Sequence, residues 1–77
     1  MKQMEPEVKL DVRGLQPPEP LERVLAALST LGEGQRVCML IDRQPFPLYA
    51  ILERDGYAYQ ARALPDSLFE IFIWRGR

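Results

Sequence analysis

Hydrophobic and polar residues alternate in two stretches of the chain, Val8–Arg13 and Tyr57–Leu64, and alternation with a period of two predicts β-strands. A further strand is predicted at Leu68–Trp74, the stretch richest in residues that favour strands. A nearly unbroken apolar run between them, Arg36–Ile41, is typical of a strand inside a sheet. We therefore expect four strands. The second and fourth strands along the chain are the most apolar and are expected in the middle of the sheet. The first and third are less apolar and are expected at its edges.

Two helices are predicted between these strands. In the first, apolar residues recur at spacings of three and four, which indicates one apolar helix face. The face consists of Leu21, Val24, Leu25, Leu28 and Leu31. Pro18 and Pro20 stand at the beginning of this helix, where proline is tolerated. A second, shorter helix is predicted from Leu48 to about Asp55, after a loop that spans Asp42 to Pro47.

The element order is βαβαββ, which predicts an α+β fold in two layers. Each helix crosses over between parallel strands, and the last two strands form a hairpin around the turn at Pro65 and Asp66. The expected product is a sandwich of a four-stranded mixed sheet, in the spatial order 1-2-4-3, with both helices on one face. Residues 1–7 are expected to be a flexible lead-in and residues 8–77 a single domain.

This layout leaves one face of the sheet without a covering layer. We expect aromatic side chains of the last two strands on that open face, from the set Tyr57, Tyr59, Phe72 and Trp74. One interpretation is that they only pack on each other as cross-strand pairs. Another is an interaction surface, because exposed apolar patches often mark interfaces. Binding of RNA to the open sheet is a third, weaker alternative.

Composition removes several classes of function. The 77 residues carry 10 basic and 11 acidic side chains, a net charge of −1, which disfavours nucleic-acid binding. No apolar run approaches the length of a membrane span, and we expect no secretory signal because the first nine residues have no apolar core. Histidine is absent and one cysteine stands alone, so we expect no metal site and no cofactor. The lone thiol fits a reducing compartment, the cytoplasm.

Cys38 is the only thiol, and it lies in the middle of the apolar strand Arg36–Ile41. Free cysteine is among the residue types that are most often buried, where it behaves as a small hydrophobe. We therefore expect a buried, unreactive side chain. The alternative is that Cys38 carries sulfur or serves as a nucleophile. The serines offer no nucleophilic site, because no histidine is present to activate them.

The segment from Leu10 to Pro20, LDVRGLQPPEP, resembles the L-D-x-R-G-L-x-C-P-x-P signature of the TusA-like (SirA-like) sulfur-carrier family. The resemblance implies the βαβαββ sandwich and a reactive cysteine at the start of the first helix, where the helix dipole favours a thiolate. Pro17 occupies that position here. The chain is more similar to a cysteine-lacking bacterial branch of this superfamily, catalogued as a domain of unknown function.

That branch shares a D-x-x-P-x-P-L-Y segment, which Asp42, Pro45 and Pro47 begin in this chain. Its members often have a histidine where Arg43 stands, so the resemblance gives no support to a metal or haem role here. Ligands of open α/β sheets collect at the carboxyl ends of parallel strands. We therefore predict a binding surface at this end, built by residues 14–20 and 42–47, with the candidate binding residues Gly14, Pro17, Pro18, Glu19, Pro20, Asp42, Arg43 and Pro45. Asp11 and Arg13 are further candidates, and the alternative for them is a solvated or salt-bridged pair on an edge strand.

These patterns favour a non-catalytic module that binds a protein partner or a small ligand. Two alternatives remain open. One is an accessory protein in sulfur relay or in redox or respiratory metabolism, and the other is a sulfur carrier that uses Cys38. A homodimer is expected through the open sheet face or an exposed edge strand.

Overall fold

A computed structural model describes residues 7–76 of the protein. Its strands are β1 (Glu7–Asp11), β2 (Arg36–Ile41), β3 (Tyr57–Leu64) and β4 (Leu68–Arg75). They form one sheet in the order β1-β2-β4-β3, in which β1 and β2 are parallel and β4 is antiparallel to both neighbours. The predicted fold class and strand order are confirmed. Most of the predicted lead-in lies outside the described residues, but Glu7 is the first residue of β1.

The helices are α1 (Glu19–Ser29), which begins between Pro18 and Pro20 as predicted, and α2 (Phe46–Arg54), which begins two residues earlier than predicted. Each has a proline at its N-cap and another at the second helical position. Proline is accepted there because the first N–H groups of a helix have no partner within the helix and the ring sets a helical φ. The prolines therefore belong to the helix starts rather than to the preceding loops.

A single apolar core fills the space between the sheet and the two helices. α1 packs over β1 and β2, and α2 packs beside β3. The buried residues come from both helices, the sheet and the adjoining loops: Val12, Val24, Leu28, Leu31, Val37, Met39, Ile41, Leu48, Leu52, Ile71 and Ile73. Both helices thus cover the same face of the sheet, as predicted. Neither described helix is long and apolar enough to cross a membrane.

The prediction for the apolar face of α1 was wrong at Leu25, whose side chain is 37 % exposed. Val24 and Leu28 are buried in the centre of the contact with the sheet. Leu25 lies about 100° around the helix from Val24, so it falls at the border of the apolar stripe. A stripe read from spacing alone is therefore wider than the face that is buried.

Candidate functional site

Two loops meet where the parallel strands β1 and β2 end. The Gly14 N–H donates a hydrogen bond of 3.0 Å to Asp42 Oδ2, and the Val12 N–H donates one of 3.0 Å to the Leu40 carbonyl oxygen. Gly14 has a φ of 76°, a left-handed conformation that glycine adopts without steric cost. The loop from residue 12 to residue 18 is therefore fixed to the loop that follows β2.

An apolar groove with a volume of about 400 Å³ lies between these loops and the beginnings of both helices. We call it the proline groove. Its lining consists of Pro17, Pro18, Pro20, Leu21, Met39, Ile41, Arg43, Gln44, Pro45, Pro47 and Leu48. The peptide bond between Pro17 and Pro18 is cis. Met39, Ile41 and Leu48 are buried, so the groove reaches the core itself.

Hydrogen-bond donors are scarce at the helix starts beside the proline groove. In α2, the N–H groups of Phe46 and Leu48 donate to the carbonyl oxygens of Gln44 (3.0 Å) and Pro45 (2.9 Å), and Pro47 has no N–H group. The first turn of α1 also contains a proline. A helix start binds anions through free N–H groups. The arrangement therefore favours an apolar ligand over a phosphate or carboxylate.

Half of the predicted binding residues line the proline groove: Pro17, Pro18, Pro20, Arg43 and Pro45. Two others, Gly14 and Asp42, form the hydrogen bond that joins the loops. Arg43 is the charged residue of the lining, and its guanidinium Nε lies 3.8 Å from Asp42 Oδ1. The structure thus brings seven predicted residues from two loops to one place.

The other predicted binding residues pair within their own segments. Arg13 Nη2 lies 2.6 Å from Asp11 Oδ2, and hydrogen bonds from the guanidinium and then the N–H of Arg13 lower the pKa of Asp11 to about 2. Glu19 binds Arg23 one turn along α1, at 3.2 Å. None of these side chains lines the proline groove.

Gln44, in the predicted loop from Asp42 to Pro47, forms one wall of the proline groove, and Tyr49, which supports this wall, was not predicted as a site residue. The Tyr49 hydroxyl donates to Gln44 Oε1 at 2.6 Å, and the Tyr49 ring stacks on Tyr59 with centroids 4.8 Å apart. The Tyr59 hydroxyl in turn donates to Glu53 at 2.7 Å, a bond that raises the pKa of Tyr59, and burial raises the pKa of Tyr49. The Pro-Leu-Tyr part of the shared segment was the signal for this wall.

The predicted aromatic surface divides between the two faces of the sheet. Tyr59 pairs with Ile73 in the β3–β4 register and packs against the core, and Tyr57 also contacts the core. Of the four aromatic residues from which the open face was expected to draw, the two tyrosines therefore lie on the helix-covered face. Side chains of one strand alternate between faces, so Phe72 and Trp74 lie opposite the buried Ile71 and Ile73, on the open face.

Arginine side chains cover part of the open face. The guanidinium carbon of Arg36 lies 4.6 Å from the Phe72 ring centroid, and that of Arg62 lies 5.9 Å from it. Arg36 forms an ion pair with Glu7, and Arg62 forms one with Glu70. Cation–π contacts and ion pairs thus join all four strands across this face. They favour the interpretation of cross-strand packing around Phe72.

Cys38 lies on the open face beside Phe72 and is half-buried, so the prediction of a fully buried side chain was wrong. Its Sγ lies 3.5 Å from Glu70 Oε2. Burial, and then the hydrogen bond to Glu70, raise the pKa of the thiol. A thiol needs a lowered pKa to act as a nucleophile at neutral pH. This environment therefore disfavours a reactive Cys38.

Residues 7–76 contain no group of side chains that could hold a metal ion. Among solved structures, the chain is similar to a SirA-like protein from Desulfitobacterium hafniense, with 28% sequence identity and a TM-score of 0.79 over 90% of this chain and 97% of that chain. A comparison with curated proteins gives no match. A family model described as an uncharacterized conserved protein, DUF2249, matches residues 9–75. The chain therefore belongs to the DUF2249 family and has a SirA-like fold.

Proposed function

We propose that this domain is a non-catalytic cytoplasmic module that binds a protein partner through the proline groove. One observation carries the proposal: two loops that are distant in sequence form a single apolar groove at the carboxyl ends of the parallel strands. That end of an open α/β sheet is where ligands commonly bind. The groove volume of about 400 Å³ is near the lower end of the ~300–1,000 Å³ range of ligand sites.

Because Pro17 stands where a sulfur carrier has its cysteine, the groove has no thiol for sulfur transfer at that position. It lines the groove at the position that the sulfur-carrier signature assigns to a cysteine. A proline side chain has no nucleophile and no group that titrates. A partner that docks at this end of the sheet would therefore meet an apolar wall and not a thiolate.

The chemistry of the lining indicates what the partner presents. The side chains of the groove are mainly apolar, and α2 donates its first N–H groups to its own loop. Phe46 lies between the lining residues Pro45 and Pro47 in the sequence and is 65 % exposed, and its ring makes an edge contact with Tyr49 with centroids 5.9 Å apart. We infer that one aliphatic or aromatic side chain of the partner anchors the complex.

Photo-crosslinking in the cell of origin tests this proposal. A photoreactive phenylalanine in place of Phe46 is expected to crosslink one dominant protein, and Leu21→Arg in the same chain is expected to abolish the product by placing a charge in the groove. The control is the same photoreactive residue in place of Glu33, which is exposed in the turn after α1. Equal products from both positions, or none from Phe46, would refute the proposal. Circular dichroism must show that Leu21→Arg still folds.

A second candidate function is supported by the likeness to a SirA-like protein. We propose that the partner, if the module acts in sulfur relay, is a carrier protein that holds the sulfur while this domain only docks. Intact-mass measurement after treatment with a persulfide donor separates this role from a carrier role. Native protein is expected to gain no sulfur atom, because the half-buried Cys38 has a raised pKa. Stoichiometric gain at Cys38 would establish the carrier alternative instead.

A further inference from the structure

The free edge of β3 carries a row of backbone groups that point away from the sheet. The Gly76 N–H donates to the Gly56 carbonyl oxygen at 3.1 Å, so this facing pair is hydrogen bonded. In an antiparallel ladder, hydrogen-bonded and non-hydrogen-bonded pairs alternate. The even-numbered residues of β3 therefore bond to β4. The N–H and C=O groups of Tyr57, Tyr59, Ala61 and Ala63 are directed to the free edge.

This edge lacks the features by which proteins commonly block strand addition. β1, at the other edge, has only five residues, and Glu7, Lys9 and Asp11 are charged. β3 has eight residues with one charged side chain, Arg62. Arg62 forms its ion pair with Glu70 on β4, so it leans inward and does not guard the edge. Short length, charges and proline are the usual means of protection, and β3 has none of the three along its free edge.

The sequence of β3 is complementary to itself. When two copies run antiparallel with Gln60 opposite Gln60, the edge-directed residues face each other as Tyr57 with Ala63 and Tyr59 with Ala61. Each large side chain then meets a small one. Sliding the strands by two residues either way removes one facing pair. One direction also sets Tyr59 against Tyr59, and the other sets Ala61 against Ala61.

The same register suits the open face. Arg62 faces Ala58 of the second copy, so no like charges are opposed. Gln60 faces Gln60 across the two-fold axis in a non-hydrogen-bonded pair, where facing side chains are closest. Primary amides both donate and accept hydrogen bonds, so the two side chains can pair. Gln60 to Ala63 are all exposed and accessible to a second strand.

We propose that the protein forms a two-fold symmetric dimer through β3, in this register, with one continuous eight-stranded sheet. About eight backbone hydrogen bonds form, two for each of four facing pairs. The occupant of the edge is thus a second copy of this chain. The proline groove lies on the far side of β4, at β2 and the loops that follow β1 and β2, and stays free. Because the paired strands are antiparallel, the two grooves face opposite directions, and the dimer would bridge two partners.

Sedimentation equilibrium over a range of concentrations tests the dimer, and charged variants at the two-fold axis test its register. Gln60→Lys places two lysines directly opposite each other, near both Arg62 side chains. This variant is expected to raise the dissociation constant of the dimer about fivefold or more. An equimolar mixture of Gln60→Lys and Gln60→Glu is expected to restore association, because the opposite charges then face each other. Gln16→Lys adds the same charge in the loop before α1, away from β3, and is expected to leave the dimer unchanged.

Three results would overturn the proposal. The first is a wild-type chain that stays monomeric at the highest soluble concentration. The second is a Gln60→Lys variant that dimerises as tightly as wild type. The third is a mixture of the two charged variants that associates no better than Gln60→Lys alone. Gln60 is exposed, so circular dichroism of both variants should match wild type and exclude unfolding as the cause.

Discussion

A hydrogen bond between Gly14 and Asp42 joins the two loops of the proline groove, which are distant in sequence. Its contribution to the stability of the protein can be measured by mutation. Asp42→Ala removes the carboxylate that accepts the Gly14 N–H at 3.0 Å. Hydrogen bonds to charged groups contribute about 1.5–3 kcal/mol when shielded from water. Both residues are exposed, so water can replace part of this bond. We therefore expect the free energy of unfolding to fall by about 1 kcal/mol.

Urea denaturation followed by circular dichroism measures this change. A domain of this size has a denaturant slope of about 1 kcal/mol per molar urea, so the midpoint is expected to fall by about 1 M. Asp42→Asn retains a neutral oxygen acceptor and should lose about half as much. Glu33→Ala removes an exposed carboxylate in the turn after α1 and controls for the change in net charge. If Asp42→Ala and Glu33→Ala have the same midpoint as wild type, the loops are held by other contacts.

Three further predictions concern single groups. Arg13 lowers the pKa of Asp11 from 3.8 to about 2. The ionised Asp11 carboxylate therefore contributes to the free energy of unfolding above pH 4, and this contribution is lost as the pH falls through 2. Urea midpoints of wild type and Asp11→Asn should therefore differ at pH 5 and converge near pH 2, and a constant difference would contradict this. Iodoacetamide should modify Cys38 more slowly than free cysteine at pH 7, and Glu70→Gln should raise the rate by removing a group that raises the thiol pKa; an unchanged rate would show that Glu70 has no such effect. Gly14→Ala should cost about 1–2 kcal/mol in thermal or urea unfolding from backbone strain alone, because no atom lies within 4 Å of an added Cβ, and Gly14→Asn should cost less.

The strands and their order could be predicted because burial of a strand determines where apolar residues stand in its sequence. β2 and β3 have the predicted bounds, since the apolar run and the alternating stretch end where their environments change. β1 and β3 lie at the edges as predicted, and the three charged side chains of β1 remain in water there, whereas β3 has the single charge of Arg62. The start of α2 was displaced because Phe46 and Pro47 were assigned to the loop before it. Proline is acceptable in either setting, and only the backbone conformation separates the two.

The side of the sheet on which a residue lies was less predictable. A period of two shows that Tyr57 and Tyr59 share a side and that Phe72 and Trp74 share a side. It does not show whether the two pairs share the same side. That depends on the register of β3 with β4, in which Tyr59 faces Ile73. Register is set by tertiary packing and by the turn at Pro65–Ser67, so a one-residue difference reverses the assignment.

The loops of the candidate site could be predicted from the sequence, but the buried residues at the base of the groove could not. The carboxyl ends of two adjacent parallel strands must lie together, so the sequence places residues 14–20 beside residues 42–47. Met39, Ile41 and Leu48 had the pattern of ordinary core residues, and they are buried. That they also form the base of an open groove depends on how far the proline loops stand apart. Spacing along the chain does not contain that distance.

The proline groove, and not the open sheet face, is expected to bind an apolar side chain. The most direct test is a titration of ¹⁵N-labelled protein with acetyl-leucinamide and, as a control, acetyl-aspartamide, followed by amide chemical shifts. Acetyl-leucinamide is predicted to shift the amides of Leu21, Gln44 and Leu48, while acetyl-aspartamide leaves them unchanged. Shifts at Cys38, Phe72 and Trp74 in place of the groove, or equal responses to both probes, would contradict the account.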